Sequence, residues 1–290
     1  MTTTIETLGV VGAGLMGSGI GQVAATAGIP TVLRDVGQAP LDQARASIER
    51  SLGKFVEKGK LTAEQAAAAL ANLRFTTDVG DVATCDLVIE AITEDLAAKN
   101  ALWRALDGMA PAATIFATNT SSLTVAAMAA VTSRPDRFVG LHFFSPVPLM
   151  ALVEVVRTIT TSEQTFRAAF EFGHRVGKVP IAAKDTAGFV VNLLLVPYLL
   201  DAIRALERGV ASVEDIDQGM KLGCNHPMGP LTLADFTGLD TCHHVAEIMF
   251  SEFREPRYAP PPLLRRLVLL GHLGRKTGRG FYDYSVNPPV

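Results

Sequence analysis

The run Gly12-Ala13-Gly14-Leu15-Met16-Gly17 constrains this chain more than any other feature, because it follows the β-type stretch Thr7–Val11 and opens a helical stretch reaching about Gly28. In that setting each glycine has its own physical task. Gly12 permits a tight strand-to-helix turn, Gly14 lets a pyrophosphate approach the backbone, and Gly17 allows close helix-to-strand packing. Leu15 and Met16 supply the first amides of the helix, whose N-terminus offers N–H donors and a favourable dipole to phosphate charge. A second β-type run, Thr31–Asp35, ends on a carboxylate placed to accept from ribose hydroxyls. Asp35 therefore favours NAD over NADP, whose 2′-phosphate would meet a negative charge. Arg34 is able to pair with such a phosphate, but strand alternation turns it to the other face. The competing readings of the glycines are a plain strand-to-helix turn and a flavin site.

Further along, short β-branched runs alternate with helical periodicity, the pattern of βαβ units building a mainly parallel sheet. The expected strands after the first two are Leu87–Ala91, Thr114–Ala117, Phe138–Phe144, Leu152–Val156 and Val179–Ala183. Leu41–Lys58 is expected as a long helix closed by Gly59, and Thr62-Ala63-Glu64-Gln65 as a capping box opening the next one. Past Gly188 the β-type runs stop, and helical segments follow one another between glycine and proline breaks. The expected architecture is α/β, a Rossmann-type doubly wound sheet over residues 1–186, followed by an all-helical C-terminal domain over 187–290. Ligands would collect between the two. The uncharged stretch Ala187 to Leu200 falls short of a membrane span and contains Asn192 and Pro197, so a buried helix is expected there.

The net charge of −3 and 19% charged residues give no electrostatic reason to expect nucleic acid. Cys85, Cys224 and Cys242 have no paired spacing, which argues against a disulfide framework or a metal site. The passage from Met1 through three threonines into Leu8 leaves no room for a cleavable signal, so the cytoplasm is the expected location.

Two residues carry the sharpest chemical inference. His142 lies in one β run and Glu154 in the next, with the connection Ser145–Leu149 between them. If the runs are neighbours, the imidazole and carboxylate face each other, and the carboxylate fixes the ring tautomer of a general base. Taken singly, each has a plain reading, His142 as a core histidine and Glu154 as an edge-strand marker. A carboxylate inside an apolar strand is expensive unless partnered, and His142 is its nearest candidate in sequence. Asn119-Thr120-Ser121-Ser122 follows an expected strand end, where it either touches ligand or caps the helix starting near Leu123. Asn192 either makes a core hydrogen bond or contributes to a site. Lys54, Lys58 and Lys60 are able to meet phosphates, although lysines at a helix C-terminus are usually a solvated face.

The combined string Gly12–Gly17, Asn119–Leu123, Gly140–Phe144, Leu152–Val156, Asp185–Asn192, Met228–Pro230 and Gly278–Tyr284 resembles the L-3-hydroxyacyl-CoA dehydrogenase family over nearly the whole chain. The resemblance is closest to short bacterial members that act on 3-hydroxybutyryl-CoA. It implies that His142 is the catalytic base with Glu154 as partner, and that Ser121 and Asn192 hold the substrate's oxygen and thioester region. It further implies that Asp35, Glu94, Lys99, Asn119, Ser121 and Lys276 line the NAD, that Ser51, Lys58 and Ser121 approach the CoA of an acyl-CoA substrate, and that the helical domain forms a homodimer. Two positions depart from the pattern, Ser145 where asparagine is common and Ala151 where lysine is common. Three other readings compete. The 3-hydroxyisobutyrate and 6-phosphogluconate dehydrogenases would need a lysine four residues before Asn192, where Gly188 stands. The remaining two are a relative acting on a free sugar acid and a non-catalytic dinucleotide-binding protein.

Overall fold

In the computed structural model, which describes residues 4–286, the chain forms two compact units, Met1–Thr186 and Ala187–Val290. Met1–Thr3, on which the export reading partly rests, fall outside the described residues.

The first unit alternates apolar strands with helices. In chain order it runs β1 (Leu8–Val11), α1 (Leu15–Thr26), β2 (Thr31–Arg34), α2 (Gln38–Glu57), α3 (Ala63–Ala71), β3 (Leu73–Thr76), α4 (Val79–Ala83), β4 (Leu87–Glu90), α5 (Leu96–Asp107), β5 (Ile115–Thr118), α6 (Val125–Ala129), β6 (Phe138–Phe143), β7 (Leu152–Arg157), α7 (Glu163–Arg175) and β8 (Val179–Lys184). The strands form one sheet in the order β3-β2-β1-β4-β5-β6-β7-β8. All neighbours are parallel except β6 and β7, which pair antiparallel. Central strands β1, β4, β5 and β6 are buried along their whole length. That explains their mostly apolar sequences, because helices cover both faces of a parallel sheet. The switch in strand order beside β1 places the glycine run, and with it the natural ligand crevice, at the carboxyl ends of the strands.

Local chemistry accounts for the element ends. Thr62 Oγ1 accepts from Gln65 N at 3.2 Å while Thr62 N donates to Gln65 Oε1 at 2.9 Å, so the expected capping box forms. Three expectations need correction. Leu73–Thr76 is a strand that the sequence reading passed over, an edge strand with only partial burial. The long helix begins at Gln38 rather than Leu41, since Gly37 provides an extended cap. Asn119 caps no helix, because the N-terminal amides of α6, Val125 N and Ala126 N, donate to the Asp185 carboxylate at 2.8 and 2.7 Å.

The second unit comprises α8 (Val191–Glu207), α9 (Val213–Gly223), α10 (Pro230–Thr237), α11 (Leu239–Phe253) and α12 (Pro262–Leu269), packed on a core that includes Leu199, Leu200, Ile203, Leu231, Leu239 and Met249. Asp217 accepts from Leu231 N at 2.7 Å and Thr232 N at 2.9 Å, closing the amide end of α10. Asp235 accepts from Phe281 N and Tyr282 N at 2.9 and 3.0 Å, which fastens the last described turn. The uncharged stretch from Ala187 differs from expectation. Gly188 and Phe189 take positive φ, the helix starts only at Val191, and Leu194 is 66% exposed rather than buried. A Cβ at Gly188 would lie 2.9 Å from Leu193 N, so glycine is required at that turn. Among the described residues, no helix is long and apolar enough to cross a membrane.

Candidate active site

The glycine run sits where β1 meets α1. Gly12 has φ +104°, and a Cβ there would fall 2.5 Å from the Ala91 carbonyl oxygen, so only glycine turns the chain this tightly beside β4. A Cβ at Gly14 would meet no atom within 4 Å, and Leu15 is exposed, which leaves the helix N-terminus open to approach. No side chain caps α1. Asp35, just beyond β2, accepts from Ala13 N through Oδ2 at 2.7 Å and from Val36 N through Oδ1 at 2.7 Å. Its carboxylate is thereby fastened to the glycine turn. Arg34 Nε donates to the Thr77 carbonyl at 3.2 Å, so its guanidinium is anchored to the loop after β3. Open amides, a backbone cradle and a carboxylate at the second strand end fit a dinucleotide with an unmodified ribose.

At the same carboxyl edge, β6 and β7 bring His142 and Glu154 into direct register as cross-strand partners. His142 Nδ1 and Glu154 Oε2 lie 2.6 Å apart, with Glu154 fully buried and His142 nearly so. A carboxylate only accepts, so Nδ1 carries the proton and the acceptor lone pair of the neutral ring is at Nε2. The ring of Phe144 packs against the imidazole with centroids 4.5 Å apart. Asn119 Oδ1 accepts from Phe143 N at 2.9 Å, tying the end of β5 to the residue next to His142.

Behind these groups lies a buried charge cluster that sequence reasoning only partly reached. Lys99 is buried, and its Nζ lies 2.5 Å from Glu90 Oε1 and 3.2 Å from Glu94 Oε2. Glu90 also accepts from Ile92 N and from Thr118 Oγ1, both at 2.8 Å. Glu94 accepts from Ser121 N at 3.1 Å, from Ser122 Oγ at 3.3 Å and from the Thr120 hydroxyl. Burial pushes the Glu94 carboxyl up, but the Lys99 charge and the hydrogen bonds from Thr120, Lys99 and Ser121 outweigh it and hold it below its ordinary value. The cluster thus fixes the turn Asn119–Ser122 at the carboxyl end of β5. Lys99 turns its ammonium to these carboxylates. Glu90 escaped notice although it shows the signal that exposed Glu154, a lone carboxylate within an apolar strand; its partner lies on a helix, with no strand pairing to point to it.

A groove of about 490 Å³ runs along α1 and α2 and is walled by the 146–149 segment between β6 and β7. Ser51 and Lys58 line it together with Ser47, Lys54 and Lys60, while Leu15, Phe55 and Val147 give it an apolar side. The lysines are therefore both solvated and groove-lining. Ser121 is not among its lining residues and stays in the turn after β5. In the second unit, Asn192 occupies the first turn of α8, and Lys276 pairs with Asp240, Nζ to Oδ1 at 2.6 Å.

The models for the 3-hydroxyacyl-CoA dehydrogenase NAD binding domain and C-terminal domain match residues 7–186 and 188–284. This chain belongs to the 3-hydroxyacyl-CoA dehydrogenase family. It is 50% identical to the probable 3-hydroxybutyryl-CoA dehydrogenase of Deinococcus radiodurans, over 95% of this chain and 99% of that protein. It is 47% identical to human mitochondrial hydroxyacyl-coenzyme A dehydrogenase, over 95% of this chain and 90% of that one. The crystal structure of (S)-3-hydroxybutyryl-CoA dehydrogenase PaaH1 from Ralstonia eutropha superposes with a TM-score of 0.94 at 47% identity, covering 98% of this chain and all of that chain.

Proposed function

We propose that this family member interconverts (S)-3-hydroxybutyryl-CoA and acetoacetyl-CoA, with His142 as the general base or acid and Glu154 as its partner. The observation that carries this reading is the 2.6 Å imidazole–carboxylate pair set on adjacent strands at the carboxyl edge of the sheet. Bound NAD supplies the hydride acceptor, its nicotinamide C4. In the oxidation His142 Nε2 takes the 3-hydroxyl proton as the C3–H bond gives up its hydride, leaving a C3 carbonyl. Glu154 stabilises the imidazolium so formed, an interaction strengthened by its burial. The reverse direction returns that proton to the reduced oxygen.

The turn Asn119–Ser122, with Glu94 behind it, lies on the cofactor and substrate oxygen, Ser121 being its contact residue. Asn192 and Lys276 are the second unit's contributions to substrate and cofactor contacts. Ser51 and Lys58 meet the CoA portion in the groove along α2, where the lysines answer phosphate charge. The enzyme works in the cytoplasm as a homodimer, a state supported by the exposed apolar side chains Leu194, Leu222, Leu269 and Leu270 of the helical unit.

Saturable, acetoacetyl-CoA-dependent oxidation of NADH, followed at the NADH absorbance, is the expected result for the purified protein. Absence of turnover across acyl chain lengths would overturn the reading. Asp35→Asn is expected to raise the KM for NADH roughly 10- to 100-fold, as loss of a charged acceptor implies. It should also narrow the preference over NADPH; an unchanged ratio of kcat/KM for the two cofactors would remove Asp35 from cofactor choice.

A further inference from the structure

Lys178 is only 7% exposed, yet the chemistry described so far does not use it. Its position is fixed by the end of α7. Gly177 takes φ +74° and turns the chain, and Lys178 N donates to Gly173 O at 3.0 Å. From there the side chain reaches the connection between β6 and β7, where Nζ donates to Val147 O at 2.6 Å and to Met150 O at 2.8 Å. The same connection is coiled on itself, because Leu149 N and Met150 N both donate to Pro146 O, at 2.9 and 3.0 Å. On its other flank α1 leaves no slack, since a Cβ at Gly19 would sit 2.8 Å from Val147 Cβ. The front of this pinned segment, Pro146 to Leu149, walls the groove that Ser51 and Lys58 line from α2.

A buried ammonium is a poor way to gain stability, because apolar side chains of similar volume often serve as well; what it adds is a fixed arrangement of the groups it bonds. Burial also pushes the Lys178 pKa down, so its charge is retained against a desolvation penalty. We propose that Lys178 is a positioning residue, which holds the Val147 and Met150 carbonyls so that the 146–149 segment keeps the shape of the CoA-binding wall. The proposal rests on the reading of the groove as the CoA site.

Steady-state kinetics of Lys178→Met, Lys178→Gln and Lys178→Arg test it. The methionine variant, which keeps the stem but has no donors, is expected to raise the KM for acetoacetyl-CoA about tenfold with kcat and the KM for NADH nearly unchanged, the signature of lost ground-state binding. The arginine variant, with donors for both carbonyls, should recover most of that loss. If the methionine variant does not fold, the glutamine variant must show the same split at smaller size. A folded variant with the wild-type KM for acetoacetyl-CoA overturns the proposal, as does a fall in kcat together with a rise in both KM values, or a failure of arginine to rescue. The groove reading has its own check: a wild-type enzyme that saturates with acetoacetyl-CoA but whose Lys58→Ala variant keeps the same KM refutes that reading, whatever Lys178 does.

Discussion

Replacement of His142 by alanine is expected to lower kcat for 3-hydroxybutyryl-CoA oxidation by about 10²- to 10⁴-fold, the usual worth of a positioned general base. The dissociation constant for NADH, read from its fluorescence, should stay near the wild-type value, because the dinucleotide cradle is built from β1, α1 and β2 and not from β6. Alanine also strips the buried Glu154 carboxylate of its partner, so part of any loss could come from a weakened fold. His142→Gln separates the two effects, since its amide still offers Glu154 a donor but has no basic nitrogen. Both variants should lose turnover alike while glutamine unfolds at the higher temperature. Near-normal kcat in the glutamine variant would leave the 3-hydroxyl proton with another acceptor and sink the proposed mechanism. Glu154→Gln should lose less than His142→Ala, because the base remains and only the stabilisation of its charged form is removed.

How far the sequence revealed this site depends on the kind of interaction. The pairing of His142 with Glu154 was legible because both lie in short β runs joined by a proline-bearing connection, and antiparallel pairing puts such residues opposite each other. The glycine run was legible because it needs positive φ and close approach, demands that few residues other than glycine meet. Lys178 left no comparable trace. Its partners are backbone carbonyls, which every residue has, so nothing in the sequence marks Val147 and Met150 as acceptors. β3 escaped because an edge strand with the exposed Arg74 lacks the apolar run of the central strands. The start of α8 was misplaced because Gly188 and Phe189 adopt positive φ inside a stretch that is uncharged and mostly apolar, and hydrophobicity does not report backbone dihedrals.

The largest stability effect is expected at Lys99, where the charge cluster is least able to tolerate loss. Lys99→Met leaves Glu90, fully buried, and Glu94, mostly buried, without the cation that lies between them. Breaking a buried pair by removing one member typically costs about 3–5 kcal/mol, which for a unit of this size lowers Tm by on the order of 10 °C. The pH dependence identifies the cause. In the wild-type protein the Glu94 carboxyl is held below its ordinary value of 4.5, so its contribution is complete above that pH and fades as pH falls through the lower folded value. Without Lys99 the burial that opposes this shift loses its main counterweight, so the carboxyl is expected to move upward, with only the Thr120 and Ser121 hydrogen bonds still holding it down. The penalty is then full at neutral pH and shrinks as the solution is acidified toward 4.5, where the buried acid accepts a proton. Thermal unfolding at pH 7.5 and pH 5 should therefore show the gap between variant and wild type closing at the lower pH. Adding Glu90→Gln to Lys99→Met should recover part of the loss at pH 7.5, because one buried charge is gone. An equal gap at both pH values, or no recovery in the double variant, would mean that Lys99 acts through the packing of its stem, and that the turn Asn119–Ser122 is held without help from the charge cluster.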